Sequence, residues 1–237
     1  MRNIQVIQGL PFKVKEIIDI TDTLPSRPND PETPRTPDQI THISIHHSAV
    51  ENGSIQGYAN THVNIRKWYH IGYHLVVKAD QLYQTNNLLT FSYHTSSHNY
   101  YTIGIGVSAD LSKREMSEVE RATLYAAILT IMYMFDISVD HVLGHNEFPG
   151  NEKTLCPCMV MNKVRFDIRT LKTKIDYARS EDGAQQLAFH VSNQILYFSN
   201  FARGINPDGT DCTPGNKEWG KNVLLELEPF MRARDLL

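Results

Sequence analysis

From His42 to His47 the chain reads H-I-S-I-H-H, a period-two alternation that puts His42, Ser44 and His46 on one face and Ile43, Ile45 and His47 on the other. The pattern predicts a half-buried strand ending in a polar cluster. Between Ser54 and Trp68 the period lengthens to that of a helix, with Ile55, Tyr58, Ala59, His62, Ile65 and Trp68 near one stripe and Gly72 closing it. Residues 73–85 read as two short strands around a turn at Ala79-Asp80-Gln81. Y-T-I-G-I-G-V at 101–107 reads as another strand, its two glycines marking close backbone approach. Ser117 and Glu120 have capping-box spacing and open an apolar helix to about Phe135, after which residues 139–145 supply a strand. Beyond Cys158, the spacing of Phe166, Ile168, Leu171 and Ile175 predicts a helix packed on the sheet, and 183–203 and 217–234 read as two more helices.

Upstream of all this, residues 12–20 alternate well enough for a strand or an extended arm. Five prolines between Asp22 and Asp38 then exclude a helix or a central strand, leaving a linker or a surface-hugging segment. The expected organisation is an arm and linker over 1–39, an α/β domain over 40–178 and a helical extension over 179–237.

Composition narrows the function classes. With 41% hydrophobic and 21% charged residues the 237-residue chain is an ordinary globular one. Its formal charge of −3, from 23 basic and 26 acidic side chains, gives no electrostatic footprint for nucleic acid. The longest apolar stretch, Leu124–Phe135, is about half the roughly 20 residues a membrane span needs. The basic N-terminus lacks an apolar h-region, so no Sec-type signal peptide is expected. Three cysteines, two of them in C-P-C, cannot form a disulfide framework and fit synthesis in a reducing compartment.

Eleven histidines carry more information by placement than by number. His46 and His145 each end a predicted strand, and Cys156 follows in a constrained C-P turn. Two imidazoles and a thiolate suit Zn²⁺, and three protein ligands leave a fourth tetrahedral position open. Such an ion would supply both a nucleophilic water and a Lewis acid, the two needs of amide hydrolysis. Ligands on separate strands obey no local spacing rule, so from the residues alone a zinc hydrolase and a metal-free domain both stay open.

Four ordered strings decide further: I-S-I-H-H-S-A-V (43–50), G-Y-H-L-V-V-K-A-D (72–80), H-T-S-S-H-N-Y-Y-T-I-G-I-G (94–106) and G-H-N-E-F-P-G-N-E-K-T-L-C-P (144–157). Together they resemble the zinc-dependent N-acetylmuramoyl-L-alanine amidases of type 2, a family that also holds phage lysins and the animal peptidoglycan recognition proteins. The resemblance spans roughly residues 40–176. It implies a central mixed β-sheet flanked by helices, and one zinc ion per chain held by His46, His145 and Cys156, with His47 and Cys158 as the alternatives that its motif order disfavours. It also implies roles for Tyr73 and Thr154 in steadying the reacting carbonyl, and His94, Asn99 and Lys153 are expected to line the cleft as substrate contacts.

Two departures stand out. Gly106 occupies the position where some members carry an acid–base glutamate directly after I-G-I, which places the chain with the tyrosine-dependent branch. Only Tyr69, His70 and Ile71 separate the Trp68 helix from Gly-Tyr-His, a shorter connection than in many relatives. The implied partner is bacterial peptidoglycan, cut between N-acetylmuramic acid and L-alanine. The lack of a signal peptide fits a phage or prophage endolysin made in the bacterial cytoplasm and released to the wall by a holin. The alternatives are a muropeptide-recycling amidase and a recognition protein that binds without cutting.

Overall fold

The computed structural model describes residues 1–27, 33–180, 199–206 and 209–232. The chain divides into two compact units, Met1–Ile175 and Asp176–Leu237. The first is built on a six-stranded mixed sheet. Its strands are β1 (Ile18–Asp19), β2 (His42–His47), β3 (Leu75–Lys78), β4 (Gln81–Gln84), β5 (Thr102–Val107) and β6 (Val142–Gly144), arranged in the order β1-β4-β3-β5-β2-β6. Only β3 and β4, joined by the tight turn at Ala79 and Asp80, run antiparallel. The remaining neighbours pair in parallel.

Strand β2 is buried on both faces, where its alternation predicts burial on one. The reason is its central position between β5 and β6, with layers above and below. Ile43, Ile45, Ile103, Ile105 and Val107 point into one core with Leu124, Ile128 and Ile131 of the helix Glu118–Phe135. We number the helices α1 (Ile55–Asn60), α2 (Glu118–Phe135), α3 (Met161–Arg179) and α4 (Pro214–Arg232). The opposite face of the sheet carries Ser44, His46, Gly104 and Gly106, and it is this polar, glycine-bearing face that receives the functional side chains.

Helix α2 begins at the expected capping box: Ser117 Oγ accepts from the Glu120 N–H at 3.2 Å and Glu120 accepts from the Ser117 N–H at 2.8 Å. It is buried nearly all round from Thr123 to Met132, as an apolar helix without a polar stripe must be. Its outer side is covered by α3 and by the N-terminal arm. Tyr125 Oη donates to Asp167 at 2.7 Å, and the Ile7 N–H donates to Thr130 Oγ1 at 3.1 Å. Ile4, Ile7, Leu10 and Phe12 of the arm join the main core. The arm expected over 12–20 is thus a cover for α2, forming strand only at Ile18–Asp19.

Two helical stripes differ from their sequence patterns. The helix after Ser54 keeps α geometry only to Asn60 and winds as a π turn over Thr61–Ile65. One extra residue per turn rotates the stripe, so Val63 is buried and Ile65 is 73% exposed. In α3 the buried line is Met161, Val164, Ile168 and Ile175, whereas Phe166 is 66% exposed. Phe166 lies between the turns that touch the core. The proline tract is anchored at its described end, with Pro34 bridging to Thr90 and the Arg35 N–H donating to Leu89 O at 2.8 Å.

In the second unit, Phe201 is buried and meets Trp219 of α4 edge-on with ring centroids 5.7 Å apart. The helix expected over 183–203 lies outside the described residues except for 199–203, which are helical. No described helix is long and apolar enough to cross a membrane.

Candidate metal centre

Strands β2 and β6 are parallel neighbours in the register Ile45↔Gly144, so the next residues, His46 and His145, leave adjacent strand ends together. Carboxyl ends of parallel strands are where α/β sheets present their sites. Cys156 is returned to the same spot by the loop 146–156, which the Asn146 N–H closes on Cys156 O at 2.9 Å. His46, His145 and Cys156 each offer a ligand atom within 4.8 Å of the other two, and among the described residues no other such group of three occurs.

His46 Nδ1 lies 3.7 Å from Cys156 Sγ. An imidazole nitrogen and a sulfur sharing one tetrahedral zinc sit about 3.5 Å apart, given Zn–N near 2.0 Å and Zn–S near 2.3 Å. The chemistry of the donor set therefore fits the ion, and this pair is already near ligating separation. Its electrostatics agree: burial, helped by the other imidazoles, holds His46 neutral, and burial also lowers His145. Burial pushes the Cys156 thiol up to about 11, so a cation is what this pocket needs in order to hold a thiolate.

The backbone alternation of β2 sends His47 to the other face. There its Nδ1 accepts from the Leu111 N–H at 3.1 Å and its Nε2 lies 3.8 Å from Cys158 Sγ. Two His–Cys pairs, built from adjacent histidines and from cysteines two residues apart, thus straddle the strand. Only the pair on the polar face meets a third donor.

Tyr73 stands beside the centre, its ring centroid 5.5 Å from that of His46. It lies over Gly106, where an added Cβ would approach the ring to 2.9 Å. In this packing Tyr73 and any side chain at position 106 exclude one another, which accounts physically for a glycine where relatives bear a glutamate. Burial, and after it the nearby Cys156, raises the Tyr73 phenol above its ordinary value, so the hydroxyl keeps its proton. The backbone of this segment is gripped from below: Asn86 Nδ2 donates to Tyr73 O at 2.9 Å, Thr85 Oγ1 to the same oxygen at 2.8 Å, and Ser92 Oγ to Gly72 O at 2.8 Å. Thr154 Oγ1 accepts from the Cys156 N–H at 3.2 Å.

Of the three expected substrate contacts, Lys153 is exposed on the loop that carries Cys156. His94 and Asn99 are buried, at 8% and 4% exposed. His94 lies beneath the centre, Nδ1 3.2 Å from His46 Nε2, over Gly104, where a Cβ would meet its ring at 2.8 Å. Asn99 Oδ1 accepts from the N–H groups of His94 and Thr95 at 2.9 and 2.6 Å, closing a turn. Both shape the floor rather than the wall.

Sequence reasoning passed over Ser44, Thr95, Ser96, Asn151 and Arg35. Arg35 is a buried guanidinium donating to the carbonyls of Leu88, Asn99 and Thr102 at 2.6, 3.1 and 2.6 Å. An arginine set among the prolines at the end of the tract was the signal available for it. Glu147, three residues past Gly144, accepts from the Gly144 N–H at 2.8 Å and from both Arg165 terminal nitrogens, and so locks the turn that presents His145.

A profile of the family described as N-acetylmuramoyl-L-alanine amidase, Amidase_2, matches residues 36–159, just over half of the chain. No curated protein matches it significantly. Among solved structures, the endolysin N-acetylmuramoyl-L-alanine amidase LysCS from Clostridium intestinale URNW is similar at a TM-score of 0.54 and 18% identity, over 66% of this chain and 97% of that one. The Ph2119 endolysin from Thermus scotoductus MAT2119 bacteriophage Ph2119 is similar at 0.54 and 19%, over 64% and 97%. Peptidoglycan recognition protein-LE, solved in complex with tracheal cytotoxin, is similar at 0.55 and 20%, over 63% and 92%. At these identities the likeness is one of fold.

Proposed function

Since the chain belongs to the N-acetylmuramoyl-L-alanine amidase family Amidase_2, we propose that it binds one zinc ion through His46, His145 and Cys156 and hydrolyses the amide between N-acetylmuramic acid and L-alanine in peptidoglycan. The observation that carries this reading is the convergence of two imidazoles and one buried thiol, brought from three separate stretches of chain to within 4.8 Å. Bound there, zinc supplies Lewis acidity and a water nucleophile at neutral pH.

The chain's own groups do the rest. His46 presents Nδ1 to the centre, with Nε2 2.9 Å from Ser44 Oγ and 3.2 Å from His94 Nδ1, either of which can accept its hydrogen. Tyr73, held protonated by burial, donates to the carbonyl oxygen as negative charge gathers on it. Thr154, whose oxygen already accepts from the Cys156 N–H, retains its hydroxyl hydrogen for the same purpose. Gly106 offers no carboxylate, so the proton transfers that a glutamate serves in some members fall to water here.

The role we assign is that of a phage or prophage endolysin acting on the cell wall, a reading supported by the similarity in fold to two endolysins. Mass spectrometry of digested sacculi, with and without chelator, tests it. We expect free L-alanyl stem peptides and intact glycan chains, abolished by chelation and restored by zinc. Full activity in metal-stripped protein, or release of disaccharides instead of peptides, defeats the reading. Strong preference for soluble anhydro-muropeptides over intact sacculi assigns the chain to recycling instead.

A further inference from the structure

His46 and the loop that returns Cys156 to the centre both meet one short stretch of chain. His46 faces Cys156 with Nδ1, and its Nε2 lies 2.9 Å from Ser44 Oγ, 3.2 Å from His94 Nδ1 and 3.3 Å from Thr95 Oγ1. Thr95 Oγ1 is in turn 2.7 Å from both Ser44 Oγ and His94 Nδ1. Thr102 spends its hydroxyl hydrogen on His98 O at 2.8 Å, so His94 Nε2, 3.3 Å from Thr102 Oγ1, is the donor there and His94 Nδ1 is left as an acceptor. With a metal on His46 Nδ1, the His46 Nε2–H has two acceptors in reach, His94 Nδ1 and Ser44 Oγ, and Thr95 can donate to the other.

The adjacent residue serves the loop that carries the thiol. Ser96 Oγ donates to Asn151 Oδ1 at 2.9 Å, on the loop 146–156 that runs from His145 to Cys156. Ser96 adopts the left-handed backbone, φ +51°, uncommon for a residue with a Cβ. Asn151 Nδ2 is buried without a hydrogen-bond partner, so the amide is oriented by what its oxygen accepts and leaves its own nitrogen unserved. Both are local costs, of the kind that accumulates where geometry is held for function. Asn99 fixes the stretch by accepting from the N–H groups of His94 and Thr95, and His98 Nε2 ties it to Pro149 O at 2.8 Å on the ligand-bearing loop.

We infer that His94-Thr95-Ser96 is a brace for the metal centre, Thr95 and His94 orienting the His46 imidazole together with Ser44, and Ser96 holding the loop between His145 and Cys156 through Asn151. These are positioning residues and touch neither ion nor substrate. The inference rests on the zinc reading above. Partners of this kind set ring orientation and ligand basicity, and losing one typically weakens metal binding or activity about 10- to 100-fold.

The test compares Thr95→Val, which keeps shape and loses the hydroxyl, with Thr95→Ser, which keeps the hydroxyl, and adds Ser96→Ala for the ligand-bearing loop. Zinc affinity is read by competition with a chromophoric chelator, ligand geometry by the visible spectrum of the cobalt-substituted protein, and folding by the melting temperature of the metal-free protein. Thr95→Val and Ser96→Ala should each bind zinc about tenfold or more weakly, alter the cobalt spectrum and lower kcat with KM little changed. Thr95→Ser should restore all three. Should Thr95→Val fail to fold, Ser96→Ala carries the comparison. If the unaltered protein takes up zinc and Thr95→Val and Ser96→Ala hold it as tightly with an unchanged cobalt spectrum, the brace is refuted and the centre stands. If the unaltered protein takes up no zinc, both fall.

Discussion

At His46 and His47, adjacent side chains go to opposite faces of β2, and each finds a sulfur: Cys156 on the polar face, Cys158 on the other. The choice between them is made by His145, which reaches only the first. Replacing Cys156 with alanine should weaken zinc binding roughly 100-fold or more and abolish cleavage, whereas Cys158→Ala should keep both, since losing a direct ligand exceeds the 10- to 100-fold cost of losing a supporting group. Chelator competition on the two purified variants checks this. A second prediction concerns Gly106. Its alanine variant would thrust a Cβ to 2.9 Å from the Tyr73 ring, so the ring must shift, costing about 1–3 kcal/mol by overpacking. We expect a large fall in kcat with zinc content unchanged. Unaltered turnover would remove Tyr73 from the mechanism.

At the scale of elements, capping and periodicity carried through wherever one local rule sufficed. Helix α2 starts at the Ser117/Glu120 box and ends near Phe135, because both box hydrogen bonds are made within four residues. Ser117→Ala should lower stability by about 1 kcal/mol and the melting temperature by about 2–4 °C, while leaving cleavage at permissive temperature intact; thermal melts followed by circular dichroism measure it. Periodicity failed where geometry departed from the ideal repeat. The π turn at Thr61–Ile65 exchanged Ile65 for Val63, and Phe166 belonged to a spacing of two residues that no helix face accommodates. For β2, alternation gave the right partition of side chains and the wrong burial, because a strand's period records which face each residue takes and not whether a second layer covers that face.

For the molecule as a whole, buried neutral histidines govern the response to acid. Burial, and then Arg35, holds His74 well below its ordinary value, and burial followed by Arg66 takes His62 down to about 4. Unfolded, both imidazoles titrate near 6.5, so below that pH the unfolded chain takes up protons that the folded one refuses. Stability is therefore complete above about pH 7 and declines as pH falls through 6.5 toward the folded values. At pH 5 the loss is about 2 kcal/mol for His62, whose folded value is about 4. Metal-free protein melted between pH 7 and pH 5 should show a falling midpoint, and His74→Gln should flatten the curve. A midpoint that is level or rises toward pH 5 would contradict the burial of these rings as neutral groups.

What the chain determined by itself was local: the alternation that splits His46 from His47, the caps and turns that bound each element, and the ordered blocks around His46, Tyr73, His94 and Cys156. The tertiary structure decided what those blocks do together. His46 and His145 become neighbours because β2 and β6 pair in parallel at Ile45↔Gly144, nearly a hundred residues apart in sequence. His94 and Asn99, polar and plausible on a cleft wall, lie beneath it because Gly104 leaves room for one ring and a turn consumes the other side chain. Hydrogen bonding and backbone sterics act between near neighbours and are written into short strings. Metal geometry and burial depend on distances between strands, which exist only once the sheet has formed.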